Sequence, residues 1–342
     1  MRTIALGTGP SVTAVGCGDV SLAVAAARGI DAAAVERAVS DAVERGITII
    51  EVAADLDTEH LVGDVLRTLR ARDRVVVAAK IELVPERPGV PHREVLPDRL
   101  PSRWIQERVE ACLRASRLEV VPLAQLPLAP AWRESSAWPE LAGTCARLVR
   151  EGKVLQWGAI VRHHPEQPPA DTALTTEPWL TAFQVVFHLW DRSAEPWIAA
   201  AIDHKRCVLA RQVLAGGALA GSIGPGVKLA LTDDRRSIDT SVLERISVGV
   251  AKLAPMVRYE PAAARSSDAA REALDRGRRP ANVECATTAE LALRFVMDRG
   301  VVALPRVHRH EYVSELIAAG SAPPLSRDLL AHLLDDKTAL TR

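Results

Sequence analysis

The sequence has 342 residues, and its 43 basic side chains balance its 43 acidic ones, so that the formal net charge is zero. Hydrophobic residues make up 48% of the chain, which is enough for one large domain or two ordinary ones. The balanced charge gives no reason to expect nucleic acid or an anionic membrane as a partner, and the five scattered cysteines indicate neither a disulfide framework nor a zinc knuckle.

The N-terminus lacks a basic flank followed by an apolar core, which argues against a signal peptide. An alanine-rich stretch at 22–34 is broken by Arg28 and Asp31, which argues against a membrane span. We therefore expect a cytoplasmic protein that does not cross a membrane.

Short β-branched runs alternate with amphipathic helical runs along the chain. A helix is predicted between Asp31 and Gly46, because its apolar residues recur at helical spacing, Asp31 suits the N-cap and Gly46 suits a left-handed C-terminal position. A second helix is predicted from Pro139, in its first turn, to a stop at Gly152. The predicted strands are 12–16, 47–52, 74–80, 119–126, 154–160, 182–187, 207–211 and 301–305.

Repeated strand–helix units imply a parallel sheet, and this number of strands implies closure into a (β/α)8, or TIM, barrel. We expect one α/β barrel domain over 1–342. Three segments exceed a minimal barrel: a proline-rich loop at 81–103, a glycine-rich loop at 212–240, and 241–285, which is long enough for extra helices. Loops that follow strands form the functional face of such a barrel, so the first two are candidate pocket walls; for the proline-rich loop, surface decoration is an equal alternative.

Several motifs, in order and at suitable spacing, resemble those of the aldo-keto reductase family, and the resemblance implies a barrel of that type. They are Gly-Cys-Gly at 16–18, Ile-Glu-Val-Ala at 50–53, Glu-His-Leu-Val-Gly at 59–63, a third strand ending at Lys80, Glu-Gly-Lys-Val at 151–154, Phe-Gln-Val-Val-Phe-His at 183–188, Leu-Ala-Gly-Gly-Ala-Leu-Ala-Gly at 214–221, and the segment 289–305.

The resemblance implies four catalytic residues, an aspartate, a tyrosine, a lysine and a histidine. The tyrosine protonates the substrate carbonyl, and the lysine and aspartate tune its pKa. Lys80 matches the lysine, and Glu51 takes the place of the aspartate. Leu56 stands where the tyrosine is expected, and both tyrosines of the chain lie beyond residue 250. The histidine should end the fourth strand, where the chain has Gln-Leu-Pro at 125–127.

The resemblance also implies NADP(H) as cofactor, but its contacts are eroded. The family's Ser-Asn pair after the fifth strand corresponds to Ile-Val at 160–161, and a glycine after the eighth strand corresponds to the bulky Arg306. Leu316 replaces an asparagine that bonds adenine. The cofactor contacts that remain are Gln184, Gly216, Gly217, Leu219 and His308. We therefore expect NADP(H) to bind weakly or not at all.

Lys80, Glu51 and His188 are the candidate catalytic residues. Lys80 and Glu51 should form an ion pair at the barrel mouth, either as a relic of an ancestral site or as an amine with a shifted pKa that serves as a base or anion anchor. His188 directly ends a core strand and is a candidate acid or base, with a surface histidine as the alternative.

Further basic residues follow predicted strands and would make the mouth electropositive, which suits a carboxylate or phosphate group. The candidate substrate-binding residues are Arg162, His163, Arg211 and Arg306. The histidines lack the spacing of a metal site, so no metal is expected.

These features favour an enzyme that acts on a small anionic metabolite by acid–base chemistry without net hydride transfer, such as a lyase, an isomerase or a cyclase. Two alternatives stay open: a non-catalytic ligand-binding or regulatory barrel, and an atypical NAD(P)H-dependent oxidoreductase in which a histidine or water replaces the tyrosine. The sequence names neither the substrate nor the oligomeric state.

Overall fold

A computed structural model of the chain describes residues 1–86, 94–161, 171–224, 226–259, 268, 271–272 and 283–335. Within them, an antiparallel hairpin of two short strands comes first, followed by a sheet of eight parallel strands. The hairpin is β1 (Thr3–Ala5) and β2 (Ser11–Thr13). The sheet is β3 (Cys17–Val20), β4 (Ile49–Val52), β5 (Val76–Lys80), β6 (Val121–Leu128), β7 (Val154–Val161), β8 (Leu180–Val186), β9 (Cys207–Arg211) and β10 (Val302–Ala303), hydrogen-bonded in chain order.

Main-chain hydrogen bonds between the first and last strands close the sheet into a barrel. Gly16 N donates to Ala303 O at 2.9 Å, and Gly18 N donates to Pro305 O at 2.8 Å. A side chain would prevent this approach, because a Cβ on Gly18 would lie 2.2 Å from the carbonyl oxygen of Leu304. The predicted (β/α)8 barrel is therefore confirmed, and these glycines are required at its seam.

Helices cover the outside of the barrel. In the described part of the chain they are α1 (Leu22–Ala27), α2 (Ala32–Glu44), α3 (Leu56–Thr68), α4 (Leu96–Arg99), α5 (Ser102–Ser116), α6 (Trp138–Arg150), α7 (Glu195–Asp203), α8 (Thr240–Leu253), α9 (Thr288–Met297), α10 (His310–Ser321) and α11 (Arg327–Asp335). None of these helices has the length and apolar character needed to cross a membrane.

Both helices predicted in detail are present. Asp31 caps α2 by accepting a hydrogen bond from Ala34 N at 2.7 Å, and Gly46 follows it with a φ of +94°. The second, α6, has Pro139 in its first turn, as predicted. The helical spacing of apolar residues in α6 would also place Val149 in the core. It is 40% exposed instead, because it lies at the edge of the apolar face of the helix.

The first strand of the barrel was predicted correctly only in part. The predicted segment 12–16 begins in β2 of the hairpin, but its last residues pair with Ala303 at the seam, and β3 follows directly. Both segments are buried, so their apolar residues look alike in sequence. Leu6 and Val12, from the hairpin, pack against inward-facing residues of the strands such as Ile49 and Leu123, and so close the bottom of the barrel.

The additional segments lie largely around the mouth. The loop 81–103 contains α4, although its residues 87–93 lie outside the described part. Two 3₁₀ turns, Ala215–Ala220 and Asp234–Ser237, occupy the glycine-rich loop. The segment 241–285 holds α8 and a 3₁₀ turn at Ala254–Met256.

Candidate active site

A cavity of about 1100 Å³ opens at the carboxyl ends of the barrel strands. Its floor is formed by residues at the ends of β3, β4, β5 and β9, and its walls by the loops that follow β9 and β10. This is the face of a (β/α)8 barrel on which ligands bind.

A network of charged side chains lies on the floor. Lys80 Nζ is 2.7 Å from Asp19 Oδ1 and 3.3 Å from Glu51 Oε2. Arg306 pairs with the second carboxylate oxygen of Asp19. The main-chain N–H of Asp19 donates to Glu51 Oε2 at 3.0 Å. The ion pair predicted between Lys80 and Glu51 is therefore confirmed, and it belongs to a larger cluster.

The pKa values of this cluster follow from its ion pairs. Burial alone would raise the pKa of Asp19, but Lys80 and Arg306 outweigh it and hold the pKa well below its usual range. Burial alone would lower the pKa of Lys80, but Glu51 and Asp19 outweigh it and raise the pKa. Lys80 is consequently an ammonium ion at neutral pH. It can anchor an anion or stabilise a developing negative charge, but it cannot accept a proton.

Beneath Lys80, the carboxylate of Glu51 is held by two amides. Gln125 Nε2 donates to Glu51 Oε1 at 3.1 Å, and Gln184 Nε2 donates to the same oxygen. Both glutamines are fully buried. Gln184 was expected to contact a nicotinamide cofactor. It is not among the described residues that line the cavity, and its side-chain amide donates a hydrogen bond to Glu51.

Gln125 and Asp19 are site residues that the sequence analysis missed. Gln125 lies beside Lys80 in the sheet register and within β6, which continues three residues beyond it, so it stands in the region where a histidine was sought. Asp19 follows the Gly-Cys-Gly turn and adopts a φ of +46°, which non-glycine residues rarely do. An acidic residue directly after that turn was the only signal in the sequence.

A leucine, Leu56, occupies the position at which the tyrosine was expected. Leu56 is the first residue of α3, following the N-cap Asp55, and it is 48% exposed. A leucine can neither donate nor accept a proton. Leu56 therefore cannot supply the proton that the resemblance assigns to a tyrosine at this position.

His188 lies on the cavity wall and is 9% exposed. Its Nδ1 accepts hydrogen bonds from the main-chain N–H groups of Trp190 and Asp191, both at 3.2 Å. Burial lowers the pKa of His188 to about 4, although Asp191 opposes the shift. The ring is therefore neutral with its proton on Nε2, and it can offer one hydrogen bond to a ligand.

His308, expected to contact a cofactor phosphate, also lines the cavity and is 3% exposed. Burial lowers its pKa to about 4, and the charges of Arg306 and Arg28 act in the same direction, while a hydrogen bond with the main chain of Asp19 opposes them. Its Nε2 has no hydrogen-bond partner among the described residues. A neutral ring that bonds through its other nitrogen leaves a lone pair on Nε2 that can accept a proton.

Of the four candidate substrate-binding residues, two belong to the described part of the chain. Arg211 lies at the end of β9 on the cavity wall, and Arg306 follows β10 and pairs with Asp19 across the seam. Arg162 and His163 lie outside the described residues. Within the described part of the chain, no three histidine, cysteine or acidic side chains are grouped closely enough to hold a metal ion.

The glycine-rich loop after β9 contributes to the cavity wall through Gly216 and Gly217, which have φ values of +68° and +107°. A Cβ on Gly217 would lie 2.1 Å from Ser222 Oγ. Arg235 Nη1 donates to Gly216 O at 3.3 Å and fixes the loop. Leu219, also expected at a cofactor, is fully buried and is not among the described residues of the wall.

Similar structures cover nearly the whole chain. An aldo-keto reductase from Bacillus halodurans in its holo form is 18% identical, with a TM-score of 0.69 over 98% of this chain and 95% of that one. A glycerol dehydrogenase from Gluconobacter oxydans is 22% identical, with a TM-score of 0.69 over 97% and 94% of the two chains. An aldo-keto reductase from Klebsiella pneumoniae in complex with NADPH is 24% identical, with a TM-score of 0.61 over 97% and 93%. At these identities the likeness concerns the fold.

Among curated protein sequences, none matches this chain significantly. The sequence profile described as "Aldo/keto reductase family", in contrast, matches residues 14–334, which include every barrel strand and both walls of the cavity. The chain therefore belongs to the aldo/keto reductase family.

Proposed function

We propose that the protein binds a small anionic metabolite at the mouth of its barrel and acts on it by acid–base chemistry without net hydride transfer. The observation that carries the proposal is the state of Lys80. Two carboxylates hold it as an ammonium ion, with Asp19 Oδ1 at 2.7 Å, and neither a phenol nor an imidazole stands at the positions of the family's proton donors. The cation Lys80 is retained, but no side chain at those positions can donate the proton that a carbonyl reduction needs.

We further infer that NADP(H) binds weakly or not at all. The outer part of the cavity keeps a glycine-rich wall at 216–217 that suits a phosphate-bearing ligand. The inner part does not suit a nicotinamide ring, because Arg306 pairs with Asp19 across the seam and the amide of Gln184 binds Glu51. Losing several hydrogen bonds of about 1–3 kcal/mol each weakens binding by roughly a thousandfold or more.

The chemistry that fits these groups is the removal of a proton from a carbon next to a carbonyl or carboxylate. The C–H bond breaks, its electron pair forms a C=C bond, and the π pair of the carbonyl moves onto the oxygen to give an enolate. The proton passes to the lone pair of His308 Nε2, whose pKa of about 4 is raised by an anionic ligand beside it. Lys80 and Arg211 supply positive charge for that oxygen, and His188 Nε2–H supplies a hydrogen bond. Return of the proton to a different carbon gives isomerisation, and loss of a leaving group gives elimination.

The second candidate function is an atypical NAD(P)H-dependent oxidoreductase. Membership of the aldo/keto reductase family and the glycine-rich wall favour it. In that case His188 Nε2–H would replace the missing phenol as the donor to a substrate carbonyl.

Two measurements separate these functions. A panel of 2-oxo and 3-hydroxy acids is incubated with the protein in D₂O, and loss of the α-proton signal is followed by NMR. We expect wild type to exchange the α-proton of at least one acid and Lys80→Met to lose this activity. Lys153→Met is the matched control, because Lys153 binds Glu110 at the opposite end of the barrel.

NADPH is titrated in parallel by fluorescence. Binding at micromolar concentration, together with NADPH oxidation when a carbonyl compound is added, would refute the proposal and establish the oxidoreductase. Exchange that Lys80→Met leaves unchanged would show that the chemistry does not use this site.

A further inference from the structure

Eight lysine and arginine side chains lie among the described residues of the cavity wall, and three of them have a carboxylate partner. Lys80 and Arg306 share Asp19. Arg235 Nη2 is 2.7 Å from Asp233 Oδ2. Because these three already have an ion-pair partner, a second anionic group of a ligand is better served by an arginine that has none.

The other five make no ion pair with a described residue. Among these five, Arg211 is distinguished by a buried guanidinium nitrogen. It is half-buried at the end of β9, and its Nε is buried without a hydrogen-bond partner. Burial lowers the pKa of Arg211, while the more distant charges of Glu51 and Asp19 oppose the shift. The guanidinium group therefore faces the inner part of the cavity with its donors unused.

Arg28 is the second such residue and lies at the outer part of the cavity, directly after α1. It is half-buried, and its Nε is also buried without a partner in the described part of the chain. Burial lowers its pKa, and so do the charges of Arg235 and Arg306, although two aspartates oppose them. A partly desolvated arginine among other arginines is costly unless an anion joins it.

The two guanidinium groups stand on different elements, since Arg211 ends β9 on the floor of the cavity and Arg28 follows α1 on its wall, so each can meet a different anionic group. Arg211 is influenced by Glu51 and Asp19. Arg28 is influenced by Arg235 and Arg306, and with opposite sign by Asp233 and Asp234. His308 lies near Arg28, and its unpartnered Nε2 adds a polar atom to the outer position.

We propose that Arg28 and Arg211 are two separate anion anchors, and that the ligand is a small molecule with an anionic group at each end, such as a dicarboxylate or a phosphorylated carboxylate. This inference rests on the proposed function, since it names the substrate class of the same cavity. Each guanidinium group can bind a carboxylate or phosphate through two parallel hydrogen bonds.

The test is calorimetric titration with malonate, succinate, glutarate and adipate, and with butyrate as the monoanionic reference. We expect one chain length to bind at least tenfold more tightly than butyrate. Arg28→Gln and Arg211→Gln should each weaken that dicarboxylate by roughly tenfold to a hundredfold, whereas butyrate should respond to only one of the two changes. Arg28→Lys and Arg211→Lys should retain part of the affinity.

Arg236→Gln is the control, because Arg236 lies beside Arg235 on an exposed part of the same loop but is not among the described residues of the cavity wall. It should leave every affinity unchanged, and thermal melting should show that all variants fold. Equal binding of butyrate and all dicarboxylates, or a dicarboxylate that is insensitive to Arg28→Gln, would overturn the inference.

Binding alone is measured, so the result is independent of the isotope-exchange experiment. Absence of exchange with tight dicarboxylate binding would reject the acid–base chemistry and keep the two anchors. Exchange with no preference for dianions would reject the anchors alone. Displacement of the dicarboxylate by micromolar NADP⁺ would assign the anchors to a dinucleotide and overturn both proposals.

Discussion

Replacing His188 by glutamine should remove much of the protein's sensitivity to mild acid. The ring is 9% exposed, and its Nδ1 accepts two main-chain N–H groups at 3.2 Å. Protonation of Nδ1 would place a third N–H against these two donors and a positive charge in a site that is shielded from water. Burial accordingly lowers the pKa of His188 from its ordinary 6.5 to about 4.

The sign and size follow from proton linkage. Between pH 6.5 and 4 the unfolded chain binds more protons at this position than the folded protein does, so the free energy of unfolding falls as the pH falls. With these two pKa values, the loss attributable to His188 between pH 8 and pH 5 is about 2 kcal/mol. Asp19, whose pKa is held low, loses its contribution only at more acidic pH.

Urea unfolding of wild type and His188→Gln at pH 8 and pH 5 measures this contribution. Glutamine keeps an amide oxygen that can accept the two N–H groups and has no proton to gain. Comparing the two proteins cancels other groups, such as Glu59, whose pKa burial raises to about 7 and which acts with the opposite sign. The variant should gain about 2 kcal/mol relative to wild type on going to pH 5. An equal difference at both pH values would refute the reasoning.

Three further predictions concern the mouth of the barrel. Lys80→Met should lower the free energy of unfolding by about 3 kcal/mol, because it leaves the buried carboxylate of Glu51 without its cation. Adding Glu51→Gln should recover at least half of this loss in urea unfolding, and equal losses would contradict the expectation. Gly217→Ala should lower the free energy of unfolding by about 1–3 kcal/mol in the same assay. Adding Ser222→Ala should recover only part of this loss, since it removes the 2.1 Å contact with the new Cβ and not the φ of +107°. Complete recovery would show that the backbone conformation is unstrained. Arg306→Gly should tighten NADPH binding measured by fluorescence, and unchanged affinity would show that this arginine does not block the cofactor.

Much of the barrel could be predicted because its strands and helices carry strong local patterns. The predicted segment 207–211 coincides with β9, and Asp31 and Gly46 bound α2 as their backbone preferences require. The first strand was predicted correctly only in part, because β2 and β3 are both short and lie close together in the chain. Only the tertiary structure shows that one of them lies across the bottom of the barrel.

The site was less predictable, because its geometry depends on side chains that are distant in sequence. The pair of Lys80 and Glu51 could be expected, since each ends a neighbouring strand. Gln184 was assigned to a cofactor by resemblance, and the structure instead engages it with Glu51. No local pattern could show that Arg28 and Arg211 make no ion pair with the described residues, since this depends on every neighbour within the fold.

The seam that closes the barrel can form only late in the synthesis of the chain. Asp19 and Arg306, which pair across that seam, are separated by 287 positions in the chain. At usual rates of translation, the ribosome needs roughly 15 seconds to a minute to cover that distance. Throughout this interval the outer edge of β3 has no partner strand, and the floor of the cavity lacks Arg306. An open sheet edge can pair with other chains, so it has to be shielded until the last strand has emerged.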